Sequence, residues 1–287
     1  MVNDFICSAI QADYYEERGM LPFGRLIADN YIRSLPDDIV YVSASDGYSV
    51  WVDKKGHIFA CGSNYFNECN IPNINSPIVK VATGATHVLA LSKNGEVFSW
   101  GSYEVPKLDN LIVYDISCTR WSSVLLSHNK QIVVYGVDPS IRPLNGLKDV
   151  SYINSNDYSV LAIQMDFTLT SCGLINLRKK ISKNVISAHF YDNDIIVLRD
   201  DGRIYSLLKK QKFNFKNIVS ISSNSKRFFA LNDKGQIFIH GDNFFGKLDP
   251  PNDDGYCMVS AGSYHALAIK NGKILGWGTN YCNEINF

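Results

Sequence analysis

Residues 81–101 read VATGATHVLALSKNGEVFSWG, and residues 260–278 repeat the pattern as SAGSYHALAIKNGKILGWG. Each copy holds a short apolar run, a tight turn that ends in glycine, and a second run that ends in tryptophan and glycine. The two glycines are six residues apart in both copies, at Gly95/Gly101 and Gly272/Gly278. Two short apolar runs joined by such a turn are typical of antiparallel strands in a β-meander.

The glycine pair recurs along the chain, which predicts an array of about seven copies. Further pairs are Gly56/Gly62 and Gly235/Gly241, and single glycines mark three copies between them, at Gly136, Gly173 and Gly202. The residue two places after the first glycine position is aliphatic in every copy: Ile58, Val97, Ile132, Leu169, Ile204, Ile237 and Ile274. The first and last turn glycines set the repeat length at about 36 residues.

Units this short cannot each bury a core, so they must stack against one another. We therefore predict an all-β fold, a seven-bladed β-propeller of short four-stranded blades, with an open β-solenoid as the alternative. Residues 39–287 are expected to form this single domain, and residues 1–38 an N-terminal segment. Residues of about 18 to 38 are expected to complete the last blade, so that segments from both ends close the ring.

The composite pattern of residues 81–101 and 260–278 resembles the regulator of chromosome condensation repeat. The outer segments 64–69 and 243–248 also match the loop that follows the second glycine in that family. The resemblance covers the chain from about residue 39 onward and implies a seven-bladed propeller. Its best-known member is a guanine-nucleotide exchange factor for the small GTPase Ran, and other members are ubiquitin-ligase modules, chromatin binders and bacterial proteins injected into host cells.

Three departures from the family pattern leave two functions open. The copies are short, copies three to five lack several glycines, and no long insertion resembles the wedge that the Ran exchange factor presses against its GTPase. The first hypothesis is a guanine-nucleotide exchange factor or GTPase-binding effector for a GTPase of the Ran/Rab/Ras superfamily. The alternative is a non-enzymatic scaffold that docks a protein or an acidic surface.

The loop before the first apolar run is the predicted binding site, because the resemblance implies that this loop supplies GTPase contacts. Its residues vary between copies, and tryptophan, tyrosine and arginine dominate interface hot spots. For His87 and His265, hydrogen bonding within their own blades is an equal alternative. By analogy, the aspartates would compete for GTPase lysines or disturb its magnesium site. The candidates are Asp46, Tyr48, His87, Arg120, Trp121, Asp157, Tyr158, Asp192, Asp194, Lys226, Arg227, Tyr264 and His265.

Charge is balanced overall, with 28 basic and 28 acidic residues, which argues against a dedicated nucleic-acid binder. One local basic cluster departs from that balance. It is interpreted as a solvated face, with an acidic partner or an anionic membrane as the alternative. Its members are Arg178, Lys179, Lys180, Lys183, Lys209, Lys210, Lys212 and Lys216.

No catalytic constellation or cofactor motif is apparent in the sequence. The six histidines are scattered over the copies without a metal-binding spacing, and neither a nucleophile elbow nor a phosphate-binding glycine loop is present. We therefore expect a binding protein that needs neither metal nor cofactor.

Seven cysteines without a close pair, and no Asn-x-Ser/Thr site, predict a reducing compartment. The expected location is the cytoplasm or nucleus, or the host cytosol if the protein is injected by a bacterium. Residues 1–20 resemble neither a secretory signal nor a membrane anchor. A monomer is expected.

Overall fold

The computed structural model describes residues 38–102, 105–106, 111–224, 226–243, 248–278, 280 and 285. These residues form short strands and a single 3-10 helix, Pro139–Leu144. No helix among them is long and apolar enough to cross a membrane. The strands are β1 (Ile39–Ala44), β2 (Tyr48–Asp53), β3 (Ile58–Gly62), β4 (Ile78–Thr83), β5 (His87–Ser92), β6 (Val97–Gly101), β7 (Val113–Cys118), β8 (Ser122–Ser127), β9 (Ile132–Gly136), β10 (Val150–Ser155), β11 (Ser159–Gln164), β12 (Thr168–Gly173), β13 (Leu177–Lys180), β14 (Val185–Tyr191), β15 (Asp194–Arg199), β16 (Ile204–Ser206), β17 (Ile218–Ser223), β18 (Arg227–Asn232), β19 (Ile237–Gly241), β20 (Tyr256–Ala261), β21 (His265–Lys270) and β22 (Lys273–Gly278).

Consecutive strands pair antiparallel into seven sheets, which are the blades of a propeller. Six sheets have three strands, and the fourth has four, in the order β10-β11-β12-β13. The first strand of each blade lies nearest the centre of the ring and contacts the first strand of the next blade. The prediction of an all-β propeller is confirmed.

The middle strands are buried on both faces, which explains their continuous apolar runs. Val50 and Val52 of β2 pack with Ile78 of the second blade, whereas Trp51 points the other way and packs with Leu267 of the seventh. Alternate side chains of one strand therefore fill the two seams on either side of it. Among the described residues, seven such clusters lie between the seven pairs of neighbouring blades.

The first and seventh blades close the ring. The Ile39 amide donates to the Gly272 carbonyl at 2.7 Å, and the Ala44 amide donates to the Ser260 hydroxyl at 3.0 Å. This closure replaces the open solenoid that remained the alternative. The expectation that residues 18 to 38 complete the last blade lies outside the described residues.

Only the fourth blade carries a fourth strand within the described residues, and proline accounts for part of the difference. The chain leaving the first blade contains Pro72 and Pro77, and the chain leaving the sixth contains Pro250 and Pro251. Proline has no amide hydrogen to donate to a strand ladder. The segment leaving the fourth blade has no proline and pairs with β12 as β13, whereas the fifth blade makes a single bridge between Tyr205 and Lys212.

The repeated glycines are needed where strand and loop backbones touch. Gly278 has φ of +110°, and a Cβ there would lie 2.5 Å from the Tyr264 carbonyl oxygen. At Gly56, with φ of +86°, it would lie 2.6 Å from the Ile78 amide nitrogen. A side chain at either position would be strained by both its backbone conformation and a close contact.

Candidate functional site: the loop face

The loops that join the first and second strands of the blades all emerge at one end of the ring. We call this surface the loop face. It surrounds one mouth of the central channel, since residues of these loops line the channel together with the first strands. The described loop-face residues are 45–47, 84–86, 119–121, 156–158, 192–193, 224, 226 and 262–264.

The structure divides the thirteen sequence-predicted residues into two groups. Eight are exposed or half-buried on the loop face: Asp46, Arg120, Trp121, Asp157, Tyr158, Asp192, Lys226 and Tyr264. Five are buried beneath it: Tyr48, His87, Asp194, Arg227 and His265. The buried five belong to the blade framework and present no accessible side chain to a partner, which differs from the expectation drawn from the sequence.

Their shared position explains this burial. Each of the five is the first residue of a middle strand, and in four blades it pairs with the second glycine, as Tyr48 pairs with Gly62 and His265 with Gly278. Ser122 and Ser159 occupy the same position in the third and fourth blades. Counting back from the second glycine would have revealed this position in the sequence.

The two family-type histidines pack against glycine backbone. A Cβ at Gly262 would lie 2.9 Å from the ring of His265, and Nε2 of that ring is 3.0 Å from the Ser49 hydroxyl. Burial lowers the pKa of His265 to about 3 and that of His87 to about 4. Both rings are therefore neutral near pH 7. Ser49 belongs to the first blade, so this contact of His265 crosses between blades and differs from the alternative of bonding within its own blade.

Two buried charged residues hold neighbouring segments in place. The Arg227 guanidinium donates through Nε to the Asp242 carbonyl at 2.6 Å and through Nη1 to the Ser263 carbonyl, which joins the sixth and seventh blades. The Asp194 carboxylate accepts from the Ser206 hydroxyl and from the Leu208 amide at 2.8 Å. The fifth blade lacks the second glycine, and this carboxylate anchors the chain at that point.

One group of the predicted residues converges on the loop face. Arg120 of the third blade forms a salt bridge with Asp46 of the first, Nη2 to Oδ2, at 3.2 Å. Its Nη1 donates to the Tyr158 hydroxyl of the fourth blade at 3.0 Å. The guanidinium carbon lies 5.8 Å from the ring centroid of Trp121 and 6.0 Å from that of Tyr158. We call Asp46, Arg120, Trp121 and Tyr158 the arginine–aromatic patch.

The arginine–aromatic patch is held rigidly from below while its rings remain accessible. Asp46 accepts a hydrogen bond from the Ser263 hydroxyl of the seventh blade, and the Arg120 amide donates to the Asp157 carbonyl at 2.8 Å. Burial lowers the pKa of Arg120, but Asp46 and Tyr158 outweigh that effect and raise it. Trp121 is 40% exposed and Tyr158 is 38% exposed. A guanidinium fixed between two exposed rings is a typical interface anchor.

The remaining exposed candidates lie elsewhere around the ring. Asp192 occupies a tight turn of the fifth blade and pairs with Lys209 at 2.8 Å. Lys226 and Tyr264 belong to the sixth and seventh blades. The structure therefore places all three on the same face as the patch.

The central channel is lined mainly by residues that the sequence analysis did not single out. Its cavity of about 260 Å³ is lined by side chains from the first strands of the blades, many of them small and hydroxylic, including Ser43, Ser117 and Ser260. Deeper in the wall, Lys80 pairs with Asp115 at 2.5 Å. In the sequence, the channel-lining residues could have been recognised as polar residues at the third or fifth position of the first strand of a blade.

A serine, a histidine and an asparagine also meet in the channel wall. Ser187 Oγ is 3.0 Å from Nε2 of His189, and the Asn154 side-chain nitrogen is 3.5 Å from Nδ1. The amide donates toward Nδ1, which assigns the ring proton to Nε2, and this tautomer donates to the serine instead of accepting its proton. Burial lowers the pKa of His189 to about 4. The arrangement is suited to packing in the wall and not to activating a nucleophile.

Within the part of the chain that the structure describes, no three histidine, cysteine, aspartate or glutamate side chains are placed to hold a metal ion.

A closed ring of seven short meanders, with a diversified loop face around a polar channel, defines a repeat propeller that presents a binding surface. The Regulator of chromosome condensation (RCC1) repeat matches residues 78–102. The resemblance to RCC1-repeat proteins that the sequence predicted is confirmed.

Two curated proteins and one solved structure are similar to this chain. It is 24% identical over 281 residues to the guanine nucleotide exchange factor SRM1 of Saccharomyces cerevisiae, covering 84% of this chain and 52% of that protein. It is 29% identical over 279 residues to the mouse secretion-regulating guanine nucleotide exchange factor, covering 81% and 53%. The chain thus spans about half the length of these relatives.

The third is the crystal structure of yeast Prp20p, whose published description concerns its binding to Gsp1p and histones. It matches with a TM-score of 0.67 at 14% identity, over 84% of this chain and 82% of that one. At this identity the likeness shows a shared propeller fold.

Proposed function

We propose that the protein binds a small GTPase through its loop face and accelerates release of the bound nucleotide. The arginine–aromatic patch carries this proposal, because it is preorganised, accessible and built from residue types that dominate protein interfaces. The two exchange-factor relatives support the choice of partner.

The mechanism requires differential binding and no chemistry on the propeller. A surface that holds the nucleotide-free GTPase more tightly than the loaded form shifts the equilibrium toward release. Trp121 and Tyr158 supply the contact area, and Asp46 fixes the Arg120 guanidinium, so little conformational entropy is lost on binding.

The test is release of a fluorescent guanine nucleotide from a panel of purified small GTPases. Wild-type protein is expected to accelerate release from at least one of them. The double variant Trp121→Ala/Tyr158→Ala is expected to lose about 100-fold in affinity for the nucleotide-free form, as for two hot-spot rings. Tyr114→Ala is the matched control, since Tyr114 is 59% exposed and lies outside the loop face.

Two results would contradict the proposal. One is the absence of both acceleration and a stable complex with every nucleotide-free GTPase in the panel. The other is an equal loss for Tyr114→Ala and for the patch variant, which would remove the loop face from the interaction.

The second candidate function is a non-enzymatic scaffold that docks a protein or an acidic surface. It is favoured by the basic residues on the outside of the fourth and fifth blades. A GTPase complex without accelerated release would support an effector or scaffold over an exchange factor. Either role agrees with a cytoplasmic or nuclear location, which we propose together with it.

A further inference from the structure

A second surface on the outside of the ring has a chemistry unlike that of the loop face. The segments 174–184 and 207–217 leave the third strands of the fourth and fifth blades and contain no aspartate or glutamate. Their basic side chains are all exposed: Arg178, Lys179, Lys180, Lys183, Lys209, Lys210, Lys212 and Lys216. We call these two segments together the basic outer edge.

The fold makes the two segments one continuous surface. Ile175 and Leu177 of the fourth blade pack in the same apolar cluster as Tyr205 and Leu207 of the fifth. The basic side chains therefore flank a shared seam between adjacent blades. Two of the eight are paired, Lys180 with Asp166 at 2.5 Å and Lys209 with Asp192 at 2.8 Å, and these pairs are exposed.

Exposed leucines accompany the charges. Leu174 is 69% exposed and Leu208 is 43% exposed. Each is the chain neighbour of a residue in the shared cluster, Ile175 and Leu207 respectively. The surface therefore has two exposed leucines at one seam, flanked by basic side chains.

We propose that the basic outer edge binds an anionic lipid membrane surface. Seven of its eight charges are lysines. Lysine is depleted at protein interfaces, whereas arginine is enriched there, and lysine is a flexible point charge that suits a diffuse negative surface. Clusters of lysine attract anionic headgroups, and adjacent leucines enter the interfacial layer.

Negative charge on the neighbouring sixth blade favours one orientation of the propeller on the membrane. The chain leaving the sixth blade carries exposed Asp242, Asp249, Asp253 and Asp254. An anionic surface repels that side of the ring and attracts the basic outer edge, so the propeller binds edge-on with its loop face accessible.

The experiment is flotation of the purified protein with phosphatidylcholine vesicles, with and without phosphatidylserine, at low and high salt. The wild type is expected to bind only the vesicles that contain phosphatidylserine, and high salt should release it. Lys179, Lys183, Lys210 and Lys212, all changed to Gln, should lower the partition coefficient by about 100-fold or more.

The matched control removes the same number of charges from other blades. Lys54, Lys55, Lys93 and Lys234 are exposed on turns of the first, second and sixth blades, and their change to Gln should leave vesicle binding intact. Leu174→Ser/Leu208→Ser should lower binding about tenfold while the dependence on phosphatidylserine persists.

Several outcomes would overturn the assignment. One is that the wild type does not bind vesicles that contain phosphatidylserine. Another is that the control variant with four other lysines changed loses as much vesicle binding as the variant of the basic outer edge. The last is that the protein binds a polyglutamate peptide or duplex DNA more tightly than it binds the vesicles. The last would identify an acidic protein or a nucleic acid instead. Because the nucleotide-release assay contains no lipid, the lysine quadruple should behave there as wild type, so the two proposals fail separately.

Discussion

The arginine–aromatic patch and the basic outer edge are two binding surfaces built on the same ring in opposite ways. The patch depends on contacts between blades, since Arg120 reaches Asp46 and Tyr158 on two other blades. The basic outer edge depends on charges close together in sequence, with few partners. Substitutions beneath the loop face should therefore change stability, and substitutions on the outer edge should change only electrostatics.

The largest expected effect is a loss of unfolding free energy at low pH, which arises from buried histidines near the loop face or channel. His87, His189 and His265 are buried near the loop face or channel, and burial lowers their pKa values to about 4, 4 and 3. The unfolded chain takes up protons below about pH 6.5 while the folded state does not. Stability is therefore full above that pH and falls toward pH 4, by about 2 kcal/mol for each histidine at pH 5.

Urea unfolding at pH 7 and pH 5 measures this loss. His265→Gln should reduce the pH dependence by about one third, because three similar groups contribute. His128→Gln, at an exposed turn residue, is the control and should leave the dependence unchanged. Equal pH slopes in the wild type and the His265 variant would contradict the assignment.

The next largest effect is a difference in unfolding free energy between variants of two adjacent loop residues. Arg227 is 1% exposed and bridges two blades through carbonyl acceptors, whereas Lys226 points to solvent. Arg227→Ala should cost about 3 kcal/mol of unfolding free energy, since it leaves a cavity and unpaired carbonyls. Lys226→Ala should stay within about 0.5 kcal/mol. Similar unfolding midpoints for the two variants would show that the burial difference has no energetic consequence.

The smallest expected effect is the difference in stability between two variants, each of which loses one salt bridge from one of the two regions. Asp46→Ala removes the half-buried partner of Arg120 and should cost about 1 kcal/mol of unfolding free energy. It should also weaken binding at the loop face by freeing the guanidinium. Asp166→Ala removes the exposed partner of Lys180 and the carboxylate that accepts a hydrogen bond from the Thr168 amide at 2.9 Å, and it should shift the thermal midpoint less than Asp46→Ala does. A larger shift for Asp166→Ala than for Asp46→Ala would reverse the comparison.

The architecture was predictable because it depends on local rules. Glycines such as Gly56 and Gly278 mark turns and close contacts wherever they occur, and apolar runs mark strands buried on both faces. The number of strands per blade was harder to predict. Prolines such as Pro250 and Pro251 disfavour an outer strand, but the outer segment of the fifth blade lacks proline and still makes only a single bridge within the described residues.

The candidate site was predictable only in part. The variable loop position lies on the loop face, but Tyr48, Asp194 and Arg227 are buried because strand pairing places them between sheets. The approach of Arg120 to Asp46 joins residues of the first and third blades. No local pattern predicts a contact that depends on the curvature of the closed ring.

The amino-acid sequence by itself determined the repeat, the strands and turns, and the concentration of lysine on two successive outer segments. These features arise from backbone conformation, apolar periodicity and charge, which act over a few residues. The tertiary structure alone decided which loop residues meet across blades. Those contacts depend on ring closure, because burial and distance between remote residues exist only once the blades have packed.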